Sequence, residues 1–273
     1  MKRIDRRRMD VNRRKWDESV ALHVRSPDYD LPSFLRGRST LRTVELEEVG
    51  PVRGRSLLHL QCHFGLDTLS WARRGARVTG VDYSHDAVTQ ARHLAQRIGV
   101  DARFVESNVF DLRRRLRGQF DIVYTGRGAL CWLPELSAWG RLVAHYLKPG
   151  GTFYLMEGHP FADVFPNEIG TRSLRPGIDY FRRTPQRWEL AGTYAARKAK
   201  MRHKVSYDWV HPVSEVLGAL LDAGLAIEFV HEFPFTFWKQ FPFMHRGRDG
   251  WWRLDRQDQL VPLMWTVRAR RTA

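Results

Sequence analysis

The residues best suited to chemistry lie in one short stretch, His59-Leu60-Gln61-Cys62-His63-Phe64-Gly65, with Asp82 following one strand-helix-strand step later. A glycine after a buried strand lets the chain turn tightly into a helix, whose free N–H groups then face whatever lies above the strand. A carboxylate at the end of the next strand can accept both hydroxyls of a ribose. The pattern is that of a nucleoside site. Further on, Glu157-Gly158-His159-Pro160 puts an acid and an imidazole at a strand end, a pairing suited to a general base, and His211 in Trp209-Val210-His211-Pro212 is a second base candidate. The alternative is that Glu157 receives loop N–H groups and His159 merely precedes a proline turn; the residues favour neither. His59, Cys62 and His63 make a poor metal site, because alternate strand positions point to opposite faces.

These residues need an alternating strand and helix scaffold. Leu57 to Leu60 is an unbroken apolar run too short for a helix, so it reads as a buried parallel strand. Leu66, Leu69, Trp71 and Ala72 give the next helix its apolar side, Gly75 ends it, and Arg77 to Val81 is a second strand delivering Asp82. Ser84 caps a helix with Ala87, Val88, Ala91, Leu94, Ala95 and Ile98 on one face; Ala102 to Glu106 and Phe120 to Tyr124 are strands three and four. Pro134 to Leu147 reads as an amphipathic helix, Thr152 to Met156 as the fifth strand, Val213 to Ala223 as a helix, and Ala226 to His231 and Pro262 to Ala269 as the last two strands. Ligands bind beyond the carboxyl ends of such strands, so the loop Thr125-Gly126-Arg127-Gly128-Ala129-Leu130-Cys131-Trp132 belongs to the site.

In order, the glycine turn, Asp82, Asn108-Val109, Phe120-Asp121-Ile122-Val123-Tyr124 and Leu147-Lys148-Pro149-Gly150-Gly151 resemble the class I S-adenosylmethionine-dependent methyltransferases, from about Leu57 to Glu157. The four places of that family's first motif, an acid and three glycines, read His59, Gln61, His63 and Gly65 here, so only the last glycine is kept. The resemblance implies a doubly wound, mostly parallel seven-stranded sheet of Rossmann-like form, with the last two strands an antiparallel pair at one edge. It implies S-adenosylmethionine as cofactor, held by Gln61, His63, Gly65, Asp82, Asn108, Val109 and Thr125. An asparagine oxygen at 108 accepts the adenine amino hydrogen as a carboxylate would; the alternative is that Asn108 caps a turn. Thr125, Arg127 and Trp132 then lie near the methyl group, and Arg127 and Trp132 with Tyr29 are substrate candidates.

Residues 1 to 45 precede the core as helical or irregular segments and are expected to form a lid, with Trp16, His23 and Tyr29 covering cofactor or touching substrate, or with Trp16 and Tyr29 merely anchoring the extension in the core. Residues 46 to 273 form the methyltransferase domain, with a substrate-lid insertion at about 157 to 211 whose Tyr180, Phe181, Trp188, Tyr194, Tyr207 and Trp209 build an aromatic wall or an ordinary core.

The 273 residues carry a formal charge of +15, but arginine is scattered along the chain, and the loop after Tyr124 lacks the Asp or Asn with Pro-Pro and an aromatic that base methylation uses. The run Phe233 to Asp258, which interleaves aromatic and arginine residues, is the feature in favour of nucleic acid; it also suits a lid or a dimer contact. A small-molecule O- or N-methyltransferase is the first expectation, with a nucleic-acid enzyme or a non-catalytic binding protein as alternatives. With no apolar span, no secretory signal and only Cys62 and Cys131 as thiols, a cytoplasmic monomer or homodimer without membrane or metal is expected.

Overall fold

The protein is described here from a computed structural model covering residues 2–168, 170–255 and 261–272. Seven strands form the main sheet: β1 Ser56–Leu60, β2 Arg77–Asp82, β3 Ala102–Glu106, β4 Phe120–Thr125, β5 Leu147–Gly158, β6 Leu225–Phe233 and β7 Met264–Arg271. Their order is β3-β2-β1-β4-β5-β7-β6. The first five run parallel, and β7 runs antiparallel to both β5 and β6, giving the antiparallel pair at one edge. This is the doubly wound, Rossmann-like sheet expected from the sequence.

The apolar run of β1 is buried on both sides because each face is covered. Leu58 and Leu60 pack with Val123, Trp139, Phe153, Leu155 and Val216 on one side, and Leu57 packs with Trp71, Ile122, Tyr124 and Tyr154 on the other. The helices that cover it are α4 Leu66–Arg73, α5 His85–Arg97, α6 Leu136–Tyr146 and α7 Val213–Asp222, preceded in the chain by α1 Arg3–Arg25, α2 Leu31–Leu35 and α3 Thr43–Val49. Ser84 caps α5 by accepting the Ala87 N–H at 3.1 Å. At Gly140 the backbones of α6 and α7 come so close that a Cβ would run into the Ala219 carbonyl.

The strand order reverses between β2 and β4 around β1. Leu60 pairs with Val81 on one side and Thr125 on the other, so the turn after β1, Asp82 and the loop after β4 converge.

Residues 3–25 form one long helix where the sequence reads as helical or irregular. The buried stripe of α1 is Met9, Asn12, Lys15, Ser19, Val20 and His23, correctly spaced for one face but mostly polar, so a hydrophobic period does not reveal it. Hydrogen bonds replace apolar packing: Asn12 exchanges two with the Tyr207 backbone, at 2.7 and 2.8 Å, and Lys15 Nζ donates to the Lys204 carbonyl at 3.0 Å. Tyr207 belongs to a two-stranded hairpin, Gln186–Glu189 with Val205–Asp208. The run after Phe233 folds into three short strands, Phe235–Thr236, Met244–Arg246 and Trp252–Leu254. Phe241 and Trp251 are buried there, so these rings are not free to stack on bases, and the last part of that run, 256–258, lies outside the described residues.

Candidate active site

After Leu60 the backbone enters the left-handed region at every second residue: φ is +58° at Gln61, +51° at His63 and +82° at Gly65. All three places therefore adopt the left-handed conformation that favours glycine, although only Gly65 is one. Each non-glycine residue there is strained by about 1–2 kcal/mol. Backbone bonds hold the turn in that shape: Cys62 N–H donates to Val81 O at 2.9 Å, and Gly65 N–H to Cys62 O at 3.0 Å.

Asp82 is tied to the same turn. Its Oδ2 accepts the His63 N–H at 2.7 Å and its Oδ1 accepts the Ser84 N–H at 2.9 Å. Burial pushes the carboxyl up to about 6, and these N–H groups pull it back. Each oxygen retains acceptor capacity for a ribose hydroxyl. Gln61 donates Nε2–H to the Ala129 carbonyl at 2.8 Å, while its Oε1 is buried without a partner.

Asn108 is buried, and its oxygen accepts the Phe110 N–H at 3.0 Å, the turn-capping role. Its Nδ2 faces Met9 Sδ at 3.7 Å, and Val109 is buried in the following 3-10 turn. The Thr125 hydroxyl is buried without a partner.

Helix α1 lies directly across these residues. Ser84 Oγ donates to Asp17 at 2.7 Å, Tyr83 Oη to Asp10 at 2.5 Å, and His23 Nδ1 stands 3.0 Å from His63 Nε2. Around the two imidazoles stand Trp16, whose ring is 5.1 Å from His63 and 5.4 Å from Trp132, Tyr29 at 5.2 Å from His23, and Tyr194 at 5.0 Å from His23.

The loop after β4 is pinned from both sides. Arg127 turns inward: its guanidinium is 2.5 Å from Asp67 Oδ2, 3.3 Å from the Thr40 carbonyl and 4.0 Å from Glu45. Glu45 is completely buried with no hydrogen bond to either oxygen, and burial pushes it up to about 7 against the pull of Arg127. From the other side, Glu157 accepts the N–H groups of Gly128, Ala129 and Leu130 at 2.6, 2.6 and 2.8 Å. Burial raises Glu157 to about 7, opposed by those same donors. Trp132 bonds the Gly128 carbonyl through Nε1 at 2.9 Å.

Glu157 and His159 do not bond each other. His159 Nε2 pairs with Glu232 at 2.8 Å, and its Nδ1 receives the Phe161 N–H at 3.1 Å. His211 Nε2 bonds the Leu133 carbonyl at 2.7 Å and its Nδ1 faces Glu215 at 3.4 Å. All three side chains have both polar atoms engaged in holding loops.

Residues 57–151, from β1 into β5, match the methyltransferase-domain family. That stretch is a methyltransferase domain, and the chain is an S-adenosylmethionine-dependent methyltransferase. This methyltransferase is 29% identical over 229 residues to the ubiquinone biosynthesis O-methyltransferase of Xanthomonas euvesicatoria pv. vesicatoria, covering 82% of this chain and 84% of that one. The Escherichia fergusonii enzyme of the same name is 31% identical over 108 residues, covering 40% of this chain and 45% of its own length. Among solved structures, an S-adenosylmethionine-dependent methyltransferase from Mesorhizobium loti superposes with TM-score 0.55 at 22% identity, covering 87% of this chain and all of that one. The [4+2]-cyclase SpnF superposes with TM-score 0.57 at 16% identity, covering 96% and 95%, a likeness of fold alone.

The methyltransferase's residues fit its cofactor. The turn has left-handed backbone at all three motif places, Asp82 has acceptor capacity for a ribose, and the orphaned Gln61 Oε1 is an acceptor that the ammonium of a methionyl end would satisfy. Met9, Asp17 and His23 touch Asn108, Ser84 and His63, so α1 packs across the same residues.

Sequence reading missed three features of the site. The Asp67–Arg127 pair and Glu45 carry no signal, because an acid in the first turn of a helix ordinarily reads as solvated. The joining of His23 to His63 spans 40 residues and is a tertiary fact. Asp163, pushed up to about 7 by burial and then by Asp208 and Glu157, lies in a run without periodicity.

Proposed function

We propose that this methyltransferase transfers a methyl group to the hydroxyl oxygen of a small aromatic acceptor. The observation that carries this reading is the group of rings over the turn, Trp16, Tyr29, His63, Trp132 and Tyr194, which offers flat apolar walls with a few polar tips. The O-methyltransferase relatives support the choice of oxygen.

S-adenosylmethionine supplies an electrophilic methyl carbon on a sulfonium. The chain's part is to bind and align: Asp82 holds the nucleoside and Gln61 the methionyl end. In this reading residues 1–45 are the lid, with α1 excluding water, and the 157–211 insertion carries the acceptor wall. Glu157 and Arg127 fix the loop bearing Trp132, and His159 and His211 brace strand and helix ends without moving protons.

The test is product analysis with isotopically labelled S-adenosylmethionine against a panel led by catechol, with matched aromatic amines. Labelled methyl on a catechol oxygen, with stoichiometric S-adenosylhomocysteine, is the expected result; transfer to none of the phenols overturns the proposal. A second reading, an amine acceptor, is favoured by the carboxylates of Asp163, Asp208 and Glu157, the last two of which help burial raise Asp163 in a chain of formal charge +15. Methylation of the amines alone would establish it.

A further inference from the structure

The second glycine place of the turn carries an imidazole, and that imidazole is coupled to another. His63 Nε2 is 3.0 Å from His23 Nδ1, and no other hydrogen bond of the His63 ring exists among the described residues, which leaves Nδ1 unengaged. His63 is part-exposed, whereas His23 behind it is fully buried. The His63 backbone N–H is on Asp82, so the ring stands next to the residue that holds the nucleoside. A base oriented by a third group through its far nitrogen is the general arrangement of an active proton acceptor.

We propose that His63 is the catalytic base of the transfer, its Nδ1 taking the proton of the acceptor hydroxyl, and that His23 is the positioning residue that keeps it in the competent tautomer. This rests on the O-methyl reading above. For Nδ1 of His63 to carry a lone pair, its hydrogen must be on Nε2 and donate to His23 Nδ1. The His23 hydrogen then sits on Nε2, the buried atom that has no partner. Tyr29 Oη, 3.3 Å from His23 Nδ1, is placed to donate to the same lone pair and disfavour a proton there. In the reaction the acceptor O–H bond breaks with its electron pair left on oxygen, and the proton passes to His63 Nδ1. The new O–C bond forms as the C–S pair leaves on sulfur, giving a neutral thioether; the imidazolium returns its proton to water. Burial holds both rings neutral, His23 with a pKa of about 4, so the base is unprotonated at neutral pH.

The decisive variant restores the family's residue. At φ +51° His63→Gly relieves strain, so the protein should fold and bind S-adenosylhomocysteine in calorimetry within about threefold of the parent. Turnover of catechol should fall by about 10²–10⁴ and recover in part with added imidazole. His23→Leu should lower kcat with little change in acceptor KM and shift the acid limb of the pH profile. Nitrogen-15 NMR of the parent should show the His63 hydrogen on Nε2. A hydrogen on Nδ1, or His63→Gly with parental turnover, overturns the proposal while leaving the O-methyl reading intact; transfer to no phenol by the parent overturns both.

Discussion

Ala129 N and Glu157 Oε1 stand 2.6 Å apart, and with the Gly128 and Leu130 donors this contact makes Glu157 the anchor of the loop that carries Trp132. Glu157→Gln has one oxygen for three N–H groups, and an unmet buried donor costs about 1–3 kcal/mol. Urea denaturation should show a loss of about 2 kcal/mol. A variant of parental stability whose turnover falls a hundredfold would instead restore Glu157 as a base.

In the proposed nucleoside site Asp82 accepts both ribose hydroxyls best when ionised. With its pKa pushed up to about 6, it is charged at pH 7.5 and largely protonated at pH 5. Calorimetric affinity for S-adenosylhomocysteine should therefore weaken from pH 7.5 to pH 5 by tenfold or more, and Asp82→Asn should be weak at both. A parent with flat affinity over that range would remove Asp82 from the nucleoside site.

The turn makes two opposite predictions for glycine. Gly65 has φ +82°, and a Cβ there would stand 2.8 Å from the Phe104 ring and 3.0 Å from Ala91. Gly65→Ala should destabilise by about 2–4 kcal/mol through strain and overpacking. Gln61→Gly relieves strain but frees the unfolded chain, so its stability should lie within about 1 kcal/mol of the parent. Equal and large losses at both positions would mean that Gln61's bond to Ala129 O outweighs its backbone strain.

Glu45 links stability to pH. Its carboxyl, pushed from the ordinary 4.5 up to about 7 by burial, binds its proton more tightly in the folded chain, so its contribution is fully present below pH 4.5 and is lost as pH rises through 7. By pH 8 that loss is about 3 kcal/mol. Glu45→Gln should raise Tm at pH 8 and leave it unchanged at pH 4.5. No gain at pH 8 would show that Arg127 compensates the buried charge.

Most of the scaffold was legible because the apolar pattern of a doubly wound sheet is local. Leu57 to Leu60, the Ser84 cap and the face from Ala87 to Ile98 each announce themselves within a few residues, and each appears in the structure close to its expected bounds. Helix α1 was not legible as a single element, since its buried face is satisfied by Tyr207, Lys204 and Ser84 rather than by apolar neighbours. Arg127 read as a residue of the methyl site, but the structure spends its charge on Asp67, because a guanidinium beside a buried carboxylate is held by it.

By itself the sequence determined the strand order's ingredients, the glycine turn and Asp82, because hydrophobic period and turn chemistry act over one element at a time. Only the tertiary structure decided that Gln61 and His63 adopt left-handed backbone, that Glu157 serves a loop and that His23 meets His63. Those outcomes depend on which donors and acceptors burial brings within 3 Å of each other, and residues 40 positions apart carry no mark of that in their own neighbourhoods.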